Sequence, residues 1–278
     1  MGDGMKRLLV AAAGLMAIGA VQSANAADLA PPFPAKAPVP LWNWTGIYVG
    51  GNFGFATDNF SFSGTTPAHG AVPTTTFSGS KFTNGVVGGG QVGGNWQLPA
   101  WPVVVGVEAD IDATSLKSVL NTCAITAAGT VQSCTSHNSL LNDFGTVRGR
   151  LGYAWDNVLL FGTGGWAYAR TSTNDTLVCT GAATCATTGV GLPFTGGTAS
   201  TTATPSGWSA GGGLELGVWS NWVIRAEYLL LRFNGIGTTT TFTGTAGVPP
   251  VAFTATSHST SNSTINVFEL GVSYLFKL

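Results

Sequence analysis

Acidic and basic side chains recur at alternate positions of the sequence, within stretches that are otherwise apolar. Glu108 and Asp110 stand two residues apart, and so do Arg148 and Arg150. Two carboxylates at this spacing are suited to acid–base catalysis, and a row of charges is suited to conducting ions. The same residues are equally suited to buried ion pairs, in which the Arg fork binds carboxylates in a bidentate manner. The full set is Glu108, Asp110, Arg148, Arg150, Glu215, Arg225, Glu227 and Glu269.

Four cysteines are the other reactive side chains. Cys123 and Cys134 fall in one long polar stretch, and Cys179 and Cys185 fall in another. Of the three possible connectivities, pairing within each stretch is the most economical. Metal binding is the alternative, but no histidine stands at ligand spacing from these thiols. We therefore expect two local disulfides and neither a metal site nor a cofactor.

The histidines offer little support for catalysis. His69, His137 and His258 all fall in polar stretches, with mainly Ser, Thr and other small residues beside them. Nucleophilic catalysis requires a nucleophile, a base and a third group that orients the base on a rigid scaffold. His137-Asn138-Ser139 and His258-Ser259 are the nearest approaches to such a set. We expect no catalytic residues and no enzymatic activity.

The composition excludes several classes of protein. Hydrophobic residues make up 44% of the 278, charged residues only 8%, and the formal net charge is -1. Without a basic excess, nucleic-acid binding loses its main driving force. Disordered chains are poor in aromatic residues, which here reach 10%. A soluble helical enzyme would need many charged residues on its outer faces.

The N-terminal region predicts export. Lys6 and Arg7 precede an apolar run of about 13 residues, and Ala24-Asn25-Ala26 is typical of a signal-peptidase site. The run is too short for a transmembrane helix, which needs roughly 20 apolar residues. We expect a signal peptide over residues 1–26, with Met1 or Met5 as the start, export through the general secretory pathway, and a Pro-rich leader over 27–41.

The rest of the chain, residues 42–278, alternates with period two. Apolar residues occupy one face and small or polar residues the other, as in Ile47, Val49, Phe53 and Phe55 of the first stretch. Such alternation is typical of strands in membrane barrels. Leu159 and Phe161 are expected on the apolar face of the fifth stretch. The eight predicted strands are 44–57, 83–97, 103–113, 142–154, 158–170, 208–219, 222–233 and 265–276.

Short and long connections alternate along these strands. Three are short (98–102, 155–157 and 220–221), whereas the long ones are rich in Thr, Ser, Gly and Ala and cover 58–82, 114–141, 171–207 and 234–264. Outer-membrane barrels have short periplasmic turns and longer outer loops. The sequence therefore predicts an all-β fold: a closed eight-stranded antiparallel up-and-down transmembrane barrel, with both termini on the periplasmic side.

The remaining aromatic and charged residues are placed by this arrangement. The midstrand charges are expected inside the barrel, because an Arg facing lipid costs about 2–4 kcal/mol at the midplane. A belt at the periplasmic membrane surface is expected from Trp42, Trp44, Trp96, Trp101, Trp155, Trp219 and Trp222. Lys81, Lys117, Arg170 and Arg232 fall at the predicted outer strand ends, where we expect them either to contact lipopolysaccharide phosphates or to be ordinary solvated charges.

Several of these segments together resemble a known family. They include WNWTGIYVGGNFG at 42–54, GTVRGRLGYAWDNVLLFGTGGWAY at 145–168 and FELGVSYLF at 268–276. The chain resembles the small outer-membrane surface-antigen barrels of alphaproteobacteria, which are relatives of the OmpA membrane domain and are called porin family proteins. The family's barrel-assembly signal ends in an aromatic residue, which here is Phe276, followed by Lys277 and Leu278.

The resemblance implies a structural, surface-exposed role in the Gram-negative outer membrane, in envelope integrity, antigenicity or adhesion through the loops. A small-solute channel and a secreted soluble β-sandwich are the alternatives. The expected partners are outer-membrane lipids, lipopolysaccharide and the barrel-assembly machinery. Contact with peptidoglycan or a host surface is a further expectation.

Overall fold

The computed structural model describes residues 42–66, 75–125, 131–179, 194–246 and 251–278. The predicted signal peptide (1–26) and leader (27–41) lie outside these residues. None of the described residues forms a helix with the length and apolar character needed to cross a membrane. There are ten strands: β1 (Gly46–Thr66), β2 (Thr75–Gln97), β3 (Val103–Thr114), β4 (Lys117–Ile125), β5 (Val131–Trp155), β6 (Val158–Cys179), β7 (Phe194–Ala203), β8 (Ser206–Val218), β9 (Trp222–Ala246) and β10 (Val251–Lys277).

These ten segments occupy eight positions around a ring. β3 and β4 are two parts of one position, because both pair with β5. β7 and β8 form another, since both lie between β6 and β9. The ring closes where β1 pairs with β10, from Gly46 opposite Lys277 to Thr65 opposite His258. All pairings are antiparallel, which confirms the predicted closed eight-stranded barrel.

The two ends of the barrel differ. At the turn end, strands are joined by residues 98–102, 156–157 and 219–221. At the hairpin end, the connections outside the described residues are only 67–74, 126–130, 180–193 and 247–250. The predicted boundaries of the long loops are therefore wrong. Most of 58–82, 114–141, 171–207 and 234–264 is extended strand, and β10 alone has 27 residues, whereas about 9–11 suffice to span a bilayer.

The alternation rule does not predict this extension, because Ser and Thr occur on both faces of its strands. The inward face carries Ser and Thr as well as Phe60 and Phe62, so the contrast between the two faces that gives the period-two signal is weak. Thr is nevertheless favoured in strands. Cross-strand pairing with neighbouring hairpins then satisfies the backbone, as in the continuous β9–β10 ladder from Ala246 to Trp222, which contains one irregularity between Ser261 and Ser263.

Apolar side chains cover the outer surface of the lower barrel. In β10, Phe268, Leu270 and Val272 are exposed, while Glu269 and Ser273 on the opposite face are buried. The prediction for β6 is wrong: Leu159 and Phe161 are buried in the bore, and Val158 and Leu160 are exposed. The segment Val158-Leu159-Leu160-Phe161 is apolar on both faces, so alternation alone does not indicate which face points inward.

The seven tryptophans predicted for the belt divide into two groups. Five of those predicted for the belt are exposed at the turn end: Trp96, Trp101, Trp155, Trp219 and Trp222. The prediction is wrong for Trp44, which is fully buried and donates from Nε1 to the Asp156 carbonyl oxygen at 3.2 Å. Trp42 packs beside Trp44, with 5.9 Å between the ring centroids. These two indoles fill the mouth of the bore, where Gly217 leaves room for the Trp42 ring.

Candidate functional site

The densest group of charged side chains lies in the middle of the bore. None of the eight charged residues singled out in the sequence exposes more than 9% of its surface. Strands β3, β5, β8, β9 and β10 carry them, each on the face opposite the exposed apolar side chains. Because side chains alternate along a strand, residues two apart, such as Arg148 and Arg150, enter the same interior space.

Glu108 is the centre of this cluster. Its carboxylate accepts from Arg148 Nη2 at 2.6 Å and lies 3.5 Å from Arg150 Nη1. It also accepts from Arg225 Nη2 and from the Tyr48 hydroxyl. Three guanidinium groups therefore surround one carboxylate that is almost completely removed from solvent.

The three arginines connect Glu108 to the other acids. Arg148 binds Asp110 at 2.9 Å and also Glu227. Arg225 contacts Glu227 at 3.2 Å and Glu215 at 2.8 Å. Arg150 Nη2 completes the set at 2.9 Å from Glu215. We call these seven residues the ion network: Glu108, Asp110, Arg148, Arg150, Glu215, Arg225 and Glu227.

Glu269 does not join the ion network, although it is buried nearby. No ion pair involves it among the described residues, and its Oε2 atom has no hydrogen-bond partner there. Asp112 is likewise buried without an ion pair in the described part of the chain. Both carboxyl groups lie on interior faces, so burial follows from strand alternation rather than from an available cation.

Neutral side chains that the sequence analysis did not select complete the cluster. Tyr48 accepts from Arg150 Nη1 at 2.8 Å, and Thr146 donates to Asp110 at 2.5 Å. Gln91 accepts from Arg225 at 3.0 Å and donates to Ser273 at 2.8 Å. The sequence signal that would identify them is their position in the alternation, because each lies on the inward face of its strand next to an outward apolar residue.

Two apolar layers enclose the ion network. The lower layer, toward the turn end, includes Trp44, Val104, Leu159, Phe161 and Leu275, and the Arg150 guanidinium lies 4.1 Å from the centre of the Phe161 ring. The upper layer, toward the hairpins, is formed by Ala56, Val87, Leu116, Leu141, Phe144, Ala167, Ala169, Leu229, Leu231, Phe233, Ile265 and Val267. The bore is therefore filled by side chains at three successive levels.

The two described histidines, His137 and His258, lie in the hairpin extension, far along the strands from the ion network. His137 and Asp175 face each other across β5 and β6, with 2.9 Å between Nδ1 and Oδ1. His258 lies 3.1 Å from the Thr239 hydroxyl. In the described part of the chain, neither histidine has both an acid and a hydroxyl partner, and no group of three metal-binding side chains occurs. His69 is outside the described residues.

The four cations proposed for lipopolysaccharide are all exposed. Their predicted placement at strand ends is wrong for Lys81, Arg170 and Arg232, which lie inside β2, β6 and β9 because these strands are longer than expected. Lys117 begins β4. On the outer surface Arg232 is the register partner of Trp208, which is in turn opposite Trp166. Such a row of two indoles and a cation is typical of a membrane surface.

The predicted disulfides remain predictions. The backbone places Cys123 of β4 directly opposite Cys134 of β5. Cys179 ends β6, and Cys185 lies outside the described residues. We expect peptide mapping under non-reducing conditions to yield Cys123–Cys134 and Cys179–Cys185, because the two cysteines of each pair are close in sequence and the exported chain meets an oxidising compartment. Crossed pairs or free thiols would contradict this expectation.

Comparisons with known proteins agree with this architecture. Residues 11–276 match the model of the family described as outer membrane protein beta-barrel domain. The chain is 30% identical over 231 residues to the 31 kDa outer-membrane immunogenic proteins of Brucella melitensis and Brucella suis, covering 81% of this chain and 86% of each relative.

The solved structures found in the comparison are more distant in sequence. The outer membrane protein OprG from Pseudomonas aeruginosa is 10% identical with a TM-score of 0.39, over 83% of this chain and 97% of that one. The attachment invasion locus protein of Yersinia pestis is 10% identical with a TM-score of 0.32, over 83% and 99%. From the family match and the Brucella relatives, this chain belongs to the outer membrane protein beta-barrel family and is located in the Gram-negative outer membrane.

Proposed function

We propose that the protein is a closed structural barrel that supports the envelope and displays its long hairpins at the cell surface, without enzymatic activity. The observation that carries the proposal is the filling of the bore by the ion network between two apolar layers. An eight-stranded barrel is only wide enough for its interior to be filled by side chains. The strands continue well beyond the length that a bilayer requires, so a large part of the protein is available for contacts outside the membrane.

Loss of the gene should separate this function from the channel alternative. We expect the deletion strain to become more sensitive to detergents and to adhere less to surfaces, because envelope support and exposed hairpins are both lost. Uptake of small hydrophilic solutes should stay at the wild-type level. Slower uptake with unchanged detergent sensitivity and adhesion would contradict the structural role and favour a channel.

Lipopolysaccharide is the proposed partner of the four exposed cations, and outer-membrane lipids contact the apolar outer surface. We expect replacement of Lys81, Lys117, Arg170 and Arg232 together by Gln to weaken binding of purified lipopolysaccharide, because anionic phosphates are attracted to cationic side chains. The matched control is Lys277→Gln, which removes a cation at the turn end. Unchanged binding in the fourfold variant would refute the assignment.

Further partners are proposed from the sequence. The C-terminal strand with Phe276 is proposed to engage the barrel-assembly machinery during insertion. The Pro-rich segment 27–41 is proposed to contact peptidoglycan, and the hairpins to contact a host surface. No nucleic-acid partner is proposed, because 11 basic and 12 acidic residues leave no positive excess.

A further inference from the structure

A cavity of about 140 Å³ lies inside the hairpin extension, on the outer side of the upper apolar layer. Leu116, Leu141, Phe233 and Ile265 belong both to that layer and to the cavity lining, so they form an apolar floor. The walls are rich in Ser and Thr from the surrounding strands. A cavity of roughly 150 Å³ with apolar walls accommodates one benzene ring. The space therefore fits a single ring or a short aliphatic chain.

One wall of the cavity combines a carboxylate with aromatic rings. Asp58, Phe60 and Phe62 alternate along β1, so all three point inward, and all three line the cavity. The rings of Phe60 and Phe62 are stacked, with centroids 6.0 Å apart. Faces of aromatic rings attract organic cations.

Asp58 lacks a cationic partner among the described residues. Its carboxylate accepts from the Ser263 hydroxyl at 2.7 Å, and no ion pair involves it there. Thr83, its register partner on β2, has a buried hydroxyl without a hydrogen-bond partner in the same described region. Lys81 also lines the cavity but is exposed. The second acid of the lining, Asp175, is already paired with His137.

We propose that this cavity binds small organic ammonium ions that carry one apolar ring or a short chain. The ammonium group contacts the Asp58 carboxylate and the Phe60 and Phe62 rings. The apolar body rests on the floor formed by the upper layer. A charge-assisted hydrogen bond to Asp58 distinguishes such a cation from a neutral molecule of the same shape. This site is independent of envelope support and lies above the closed bore.

The test uses the full chain refolded in detergent micelles, with empty micelles as the blank. Benzylamine, benzyl alcohol and benzoate serve as cationic, neutral and anionic probes of nearly equal size, and binding is followed by saturation-transfer NMR at neutral pH. We expect benzylamine to bind saturably and about tenfold more tightly than benzyl alcohol, as expected of a charge-assisted contact. Benzoate should not bind.

Substitutions assign the binding to Asp58. Asp58→Asn should weaken benzylamine binding by about tenfold and leave benzyl alcohol unchanged. Asp156→Asn removes the same charge in an exposed turn at the opposite end, so it should bind benzylamine like the wild type. Equal binding of benzylamine and benzyl alcohol to the wild-type chain would overturn the proposal whether or not the variants fold. So would the absence of saturable binding, or an equal effect of both substitutions.

Discussion

Replacing Arg225 with Met is expected to lower the free energy of unfolding by about 3–5 kcal/mol. Arg225 is buried and contacts Glu108, Glu215 and Glu227. Removing one partner of a buried ion pair leaves the other charge desolvated and uncompensated, and here three carboxylates are affected. Urea unfolding of the refolded barrel in lipid vesicles, followed by tryptophan fluorescence, measures the change.

Arg170→Met is the matched control for that experiment. Arg170 pairs with Asp143 at 3.3 Å, but more than half of its side chain is exposed. Exposed ion pairs contribute only about 0–1 kcal/mol, because water and salt screen them. If Arg225→Met cost no more than Arg170→Met, the ion network would not hold the strands together and its assigned structural role would be wrong.

Gly165→Val is expected to destabilise the barrel by about 3 kcal/mol or to prevent its assembly. Gly165 faces the bore and is the register partner of Arg148. A Cβ atom at this position would overlap the Val147 carbonyl oxygen, and the nearby Arg148 Cα would lie 2.7 Å away. The obstruction is backbone, so no rotamer change relieves it. The measurement is the fraction of protein that shows the compact mobility of a folded barrel in unheated gel samples.

The adjacent residue provides the control, because neighbouring positions of a strand point to opposite faces. A Cβ atom at Gly164 would meet nothing closer than the Ser209 carbonyl oxygen at 3.7 Å, an ordinary van der Waals contact. Gly164→Val should therefore fold, with its side chain toward lipid. If Gly164→Val failed to fold and Gly165→Val folded, the inward and outward faces of β6 would have been assigned the wrong way round.

Alternation predicts the fold well wherever one face contacts lipid and the other does not. In β9, Ile224 and Tyr228 face outward, while Arg225 and Glu227 face inward, as expected from the sequence. The rule loses its discrimination where both faces carry the same kind of residue. Val158 to Phe161 is apolar throughout, and the hairpins carry Ser and Thr on both faces, so neither the face of β6 nor the strand lengths could be derived from the alternation pattern.

Contacts across the bore are harder to predict from the sequence than the face of a strand on which a residue lies. The alternation places Glu269 in the interior with the other charged residues, yet Glu269 makes no ion pair among the described residues. Neutral Tyr48 and Gln91, by contrast, contact the arginines directly. Which side chains meet depends on the height of each strand in the ring. That height is fixed by register, as in the opposition of Glu108 and Arg148 across β3 and β5. The belt prediction fails for Trp44 for a related reason: the residue precedes β1, and the direction of the chain there is set by packing.

The ion network and the two apolar layers together predict that no continuous aqueous path crosses the barrel. Current recordings of the refolded wild-type protein in planar lipid bilayers test this claim most directly, with urea-denatured protein as the blank. We expect a current no greater than that of the blank, because three levels of packed side chains close the bore. Stable stepwise openings of uniform conductance would contradict the claim and identify the protein as a channel.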